Sequence, residues 1–300
     1  MSSTRAAGIG LAFATALVSG VAIFVNGHAV RHFSDATAYT TAKNAVAGVL
    51  LFGLALPVLM RSRAEGFPRA RAQWAGLLAV AVVGGSVPFV LFFEGLARAE
   101  ATQAAFIQKT LVVWVALLAV PLLHERLRGA HLAAIALLVA GQASLAGDAG
   151  TAAFGTGEAL ILAATLLWAV EVVIAKRLLA SIDPRTLGAA RMAVGVVVLL
   201  GWSALSGRWH ELSSLSGSQW AWVALTGLIL AGYVTAWYAA LARAPAVDVT
   251  AVLVFGAVVT AVLSRLADGA AFDLTGVVLV TVGAALVALA VRRPLAPATA

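Results

Sequence analysis

The chain has 300 residues, of which 62% are hydrophobic and 11% charged, whereas a soluble domain carries about 25% charged residues. A water-soluble globule is excluded, because too little polar surface remains to cover a core of this size. There is no cysteine, which excludes disulfide frameworks, zinc thiolates and thiol nucleophiles. The net charge of +7 comes from short basic clusters at segment ends, a pattern that suits membrane topology and not a nucleic-acid partner.

In chain order, the first apolar stretch, Gly8 to Val25, follows Met1 and Arg5 as a signal peptide would. It exceeds the usual signal core of about 7–15 residues and no small-x-small cleavage site follows, so it reads as the first membrane helix. A bilayer core asks for about 20 apolar residues per helix. Ten stretches meet this approximately: 8–26, 37–60, 74–97, 101–122, 129–147, 157–179, 184–205, 219–241, 246–265 and 273–291. Connections are short, apart from the arginine-rich 61–73 and the Ser/Gly-rich 206–218. A tail from 292 to 300 is expected to be disordered and cytoplasmic.

Lysines and arginines orient the helices. With a cytoplasmic N-terminus, thirteen of the 20 fall in inner connections, among them Arg5, Arg61, Arg63, Arg126, Arg128 and Arg293. Four fall outside (Arg31, Arg98, Arg208, Arg265), and Lys43, Lys109 and Arg191 lie within helices. Both termini are therefore expected in the cytoplasm, with the chain in the inner cell membrane.

The chain repeats itself. Leu96-Ala97-Arg98-Ala99-Glu100-Ala101 returns as Leu241-Ala242-Arg243-Ala244-Pro245-Ala246, Lys43 aligns with Arg191, and Gly8-x-Gly10 with Gly155-x-Gly157. These matches, in collinear order, divide the chain into 8–147 and 155–291, five helices each. An odd number of helices per copy inverts the second copy. Inverted repeats suit a carrier that opens alternately to either face around a midplane site.

At these residues the sequence resembles the EamA-type carriers of the drug/metabolite transporter superfamily. The resemblance is carried by Pro121-Leu-Leu-His124-Glu125-Arg126-Leu127 with Gly141 beyond it, by Leu167-Trp168-Ala169, and by the basic Lys43 and Arg191. It implies ten helices in two repeats and a cavity lined mainly by helices one, three, four, six, eight and nine. Members commonly export amino acids, other metabolites or drugs. Where such carriers often have a mid-helix proline in the fourth helix, this chain reads Gln108-Lys109-Thr110.

Ionisable groups inside a bilayer are costly unless paired or hydrated, so each is a functional candidate. Glu171 and Arg191 lie at similar depth, about 10 Å from the inner face at 1.5 Å per residue, and form either a structural ion pair or a coupling site. Lys43 has no such neighbour, since the positions corresponding to Glu171 are Ile23 and Phe24. Glu94 is its candidate partner, although Arg98 competes for that carboxylate. Lys109 sits near mid-membrane on the fourth helix without a counter-charge there, positioned to meet an anionic substrate or to pair with Glu94 or Glu171.

Trp114, Trp168, Trp237 and Tyr238 fall within helices and are candidates to pack on apolar parts of a substrate. His124-Glu125-Arg126 with His131 offers too few ligands for a metal. The expectation is therefore an all-α transporter, not an enzyme and without a cofactor, moving small organic metabolites by alternating access. Amino acids or organic anions are favoured and export is the expected direction, with protons as a candidate coupling ion. A cationic drug exporter, or an intramembrane enzyme, are the alternatives.

Overall fold

A computed structural model describes residues 3–60, 67–99, 101–127, 129–146, 154–269 and 272–292. Arg61, Arg63, Glu100, Arg128, Arg293 and, beyond Arg292, the expected disordered tail lie outside the described residues. Among those described, every regular element is helical. The helices are α1 (Ser3–Ala29), α2 (Ala36–Met60), α3 (Arg71–Val83), α4 (Val87–Leu96), α5 (Ala101–Lys109), α6 (Leu111–Leu123) and α7 (Gly129–Ala146) in the first half. The second half has α8 (Thr156–Leu178), α9 (Pro184–Leu205), the short α10 (Trp209–Ser213), α11 (Gly217–Leu241), α12 (Ala246–Leu253), α13 (Gly256–Asp268) and α14 (Leu274–Arg292).

Among the described residues, eight spans are long and apolar enough to cross a membrane, and they coincide with the expected helices one to four and six to nine. The fifth and tenth, Gly129–Leu145 and Leu274–Leu289, are apolar but shorter. The two short helices occupy the same place in each half and pack along one another. Large apolar side chains face outward, with Leu205 at 88% and Met60 at 83% exposure, a surface that hydrocarbon covers at no cost and water does not.

Three helices expected to run unbroken are interrupted. The third divides into α3 and α4 at Gly84-Gly85-Ser86. Pro88 explains the gap: it has no N–H to give the carbonyl four residues back, and its ring crowds that turn, so the Gly84 carbonyl is left without its helical donor. The fourth breaks at Thr110, between α5 and α6, without the proline that would ordinarily cause it. There the Thr110 hydroxyl donates to the Ile107 carbonyl at 2.6 Å, a local bond that competes with the helix. The ninth breaks at Val254-Phe255, between α12 and α13.

Contacts between the halves exchange when the halves are exchanged. α2 packs on α9 and α7 on α14, while the pairing of α1 with α11 is matched by that of α8 with α3 and α4. The repeated Leu-Ala-Arg-Ala motifs show the same swap in detail. A Cβ on Gly8 would lie 2.9 Å from the Cβ of Ala244, and a Cβ on Gly157 would lie 3.1 Å from that of Ala99. Each copy of the motif therefore rests on a glycine that opens the other half. Helices pack this closely in a bilayer only where the side chain is absent.

The crossing of α3 with α9 is closer still. A Cβ on Gly195 would lie 2.6 Å from the Gly85 carbonyl oxygen, and backbone cannot yield as a side chain can. Gly195→Ala is expected to destabilise the detergent-solubilised protein by about 1–3 kcal/mol, the usual cost of overpacking, read as a lower Tm. Gly201→Ala on the same helix meets nothing within 4 Å and should leave Tm unchanged or slightly raised.

Candidate functional site

A cavity of about 160 Å³ lies between the halves. Its walls come from α1, α4, the α5–α6 junction, α8, α11 and α12, which are the first, third, fourth, sixth, eighth and ninth of the expected helices. The second and seventh contribute one residue each, Lys43 and Arg191. The lining runs from Trp237 and Thr250, near the turn between α11 and α12, past Ser19 and Glu171 to Gly27 and Leu96 at the ends of α1 and α4. Of α1, only the C-terminal half lines it.

Three cations and one carboxylate face it: Lys43, Lys109, Arg191 and Glu171, all buried. Lys43 Nζ donates to Asn26 Oδ1 at 3.1 Å and lies 3.9 Å from the Phe93 ring centroid, a cation–π contact in a desolvated setting. Asn26 also accepts from the Tyr39 hydroxyl at 2.6 Å. Glu94 is off the cavity wall. It pairs with Arg98 at 2.7 Å and with Arg208 at 3.1 Å, and accepts from Thr37.

Lys109 ends α5 at the break, where the interrupted helix exposes it to the cavity. Among the described residues its Nζ donates to Ser19 Oγ alone, at 3.4 Å. The Thr110 hydroxyl accepts from Trp114 Nε1 at 3.1 Å, and Trp114 lies outside the cavity lining.

Arg191 donates to the Gly84 carbonyl at 2.9 Å, the same carbonyl that Pro88 leaves free. Trp168 Nε1 donates to it as well, at 3.2 Å. The guanidinium nitrogens Nε and Nη1 are buried without a hydrogen-bond partner among the described residues. Glu171 takes the Tyr238 hydroxyl at 2.6 Å and forms no ion pair within the 4.0 Å limit among those residues. Glu171 and Arg191 nevertheless flank the same glycine, and a Cβ on Gly84 would strike both. Trp237 and Tyr238 part company, as neighbours on a helix must. Trp237 lines the cavity, stacked on Tyr233 at 6.0 Å between centroids, while Tyr238 is fully buried behind Glu171.

Aromatic rings form the remaining wall, with Phe89 and Phe92 at 5.6 and 5.5 Å from Trp168. Sequence reasoning missed these phenylalanines, together with Asn26, Ser19 and Gln108. A lone asparagine near the end of an apolar helix was a usable signal. The phenylalanines gave none, because in a lipid-spanning helix an apolar residue reads alike on either face.

The model of the EamA-like transporter family matches residues 6–146 and again 155–291. No curated protein matches. Among solved structures, one described only as a crystal structure of protein aligns with a TM-score of 0.75 at 19% identity, covering 95% of this chain and 99% of its own; at that identity the likeness shows the fold alone. With two matched copies in sequence and contacts that exchange between them, the chain belongs to the EamA-like transporter family, whose members are multi-pass membrane transporters and not enzymes.

Proposed function

We propose that the chain crosses the cytoplasmic membrane ten times, as two inverted five-helix repeats with both termini inside, and exports small organic anions or amino acids by alternating access. The observation that carries this reading is the charge of the cavity: three cations against one carboxylate, with two guanidinium nitrogens of Arg191 and most of the Lys109 ammonium unsatisfied among the described residues. Buried cations without counter-charge are costly, and an incoming carboxylate offsets that cost. The rings of Phe89, Phe92, Trp168 and Trp237 suit an apolar or aromatic portion of the same molecule. Lys43, held by Asn26 and three rings, supplies positive potential more than direct contact. Export follows the habit of the family. Glu171, the one cavity carboxylate, is the candidate for proton coupling.

The pairing of contacts between halves and the packing of α7 along α14 support ten crossings. The 18 and 19 residues of α7 and α14 rise about 27–29 Å, close to the hydrocarbon thickness of a bilayer.

Two other readings have specific support. A cationic drug exporter would use Glu171 as its anchor. An intramembrane enzyme would use Ser19 with Lys109 as nucleophile and base. Their contact is long at 3.4 Å, and Ser19 lies mid-helix, where neighbouring amides are bonded along α1 and give no oxyanion donors.

Counterflow in liposomes against amino acids, organic anions and lipophilic cations separates these. Lys109→Ala should raise the half-saturation concentration for accepted anions about tenfold, the worth of one hydrogen bond to a charge. Unchanged anion uptake would remove Lys109 from the site. If Glu171→Gln instead abolishes transport of lipophilic cations while Lys109→Ala spares it, the drug exporter is correct. Topology is tested separately: tags at the two chain ends should both be reached from the cytoplasmic side, and ends on opposite faces would rule out ten crossings.

A further inference from the structure

Below the cavity, toward the face where α1 begins, the turn between α11 and α12 is held from four sides. Asp248, in the first turn of α12, meets Arg5 of α1 at 2.7 Å and His131 Nε2 of α7 at 3.1 Å. The Glu125 carboxylate, just beyond α6, accepts from the Ala246 and Val247 amides at 2.6 and 3.0 Å. Those are N–H groups that the start of α12 leaves without helical acceptors. Lys176 of α8 donates to the Leu241 and Ala244 carbonyls at 2.5 and 2.7 Å, the last acceptors at the end of α11. Arg5, Glu125, His131 and Asp248 thus join three helices of the first half to α12.

The geometry that aims Glu125 is itself unusual. His124 stands at φ 55°, the one non-glycine residue with positive φ among the described residues. Its counterpart at the end of α13 is Gly269, at φ 66°. A left-handed C-cap is ordinary for glycine and costly for histidine, so the turn that carries Glu125 toward α12 is held by what Glu125 binds. The other face is held, among the described residues, by more exposed pairs: Arg208 meets Glu94 at 3.1 Å and Asp35 at 3.2 Å, with side chains 19–30% exposed. There too α1 meets α13 through His28 and Asp268 at 3.2 Å, both more than a third exposed, where an ion pair contributes little.

We propose that Glu125, Asp248 and Arg5 are the gate of the carrier on the face where α1 begins, and that this gate, more deeply buried than the described pairs opposite, biases the empty protein toward opening its cavity to the other face. The inference rests on the alternating-access reading. The gate releases when α12 swings away from α1, α6 and α7, and the charges then exchange each other for water. Burial pushes the Glu125 carboxyl above the usual glutamate range, against the pull of the two amides and the Lys176 ammonium. The closed gate therefore holds a carboxylate that hydration would favour, which suits a contact that must break in every cycle.

The protein contains no cysteine, so one introduced at Ala22 on the cavity wall is a unique label site. A membrane-impermeant maleimide is applied to right-side-out and to inverted vesicles. In the parent, labelling is expected mainly from the face where α1 ends. Glu125→Gln and Asp248→Asn should each shift the ratio of labelling rates about tenfold toward the face where α1 begins. Arg5→Gln, at a partly exposed side chain, should act in the same direction and keeps the test decisive if a buried-carboxylate variant does not fold. A ratio unchanged in every folded variant overturns the gate while leaving the carrier reading intact. Absence of counterflow by the parent protein would overturn both.

Discussion

Arg191 and the Gly84 carbonyl meet at the floor of the cavity, and the reason lies in a residue that touches neither. Pro88 withholds a backbone donor four residues along, so one carbonyl in the middle of an apolar slab has no helical partner. A guanidinium buried in the same slab is short of acceptors. Each offsets part of the other's cost, and Trp168 adds a second donor to the same oxygen. The bond ties α9 to the break between α3 and α4, fixes where Glu171 and Arg191 stand, and requires Gly84 and Gly85 to carry no side chain.

Helix interruption recurs around the cavity. The α5–α6 break presents Lys109, and the α12–α13 break brings Val254 to the wall opposite. A continuous helix consumes its own backbone polarity, whereas a broken one frees a few groups and redirects the side chains beside them. That is tolerable at membrane depth only where protein or a water-filled space surrounds the break.

The symmetry between halves is in backbone contacts, and the asymmetry is in charge. Glycines in both halves allow close crossings, while Lys43 answers Arg191 with a different partner and the buried cluster of Glu125 and Asp248 faces more exposed pairs at the other end. On the alternating-access proposal, similar scaffolds with unequal polar contacts would give two conformations of different weight, the condition for a population that a ligand can shift.

The sequence alone determined the membrane class, the helical content, the two copies and the cationic character of the midplane, because hydropathy and charge report directly on solvent. It also placed the spans, since lipid leaves a chain few ways to satisfy its backbone. Only the tertiary structure decided which side chains share the cavity. Trp237 and Tyr238 are neighbours in sequence with opposite placements, and Trp114 and Glu94 fall away from the wall. Asn26 and three phenylalanines join Lys43 there. In a soluble protein, polarity marks the outer face of a helix; between lipid on one side and helices on the other, an apolar residue fits both, and the facing of each helix emerges only from packing.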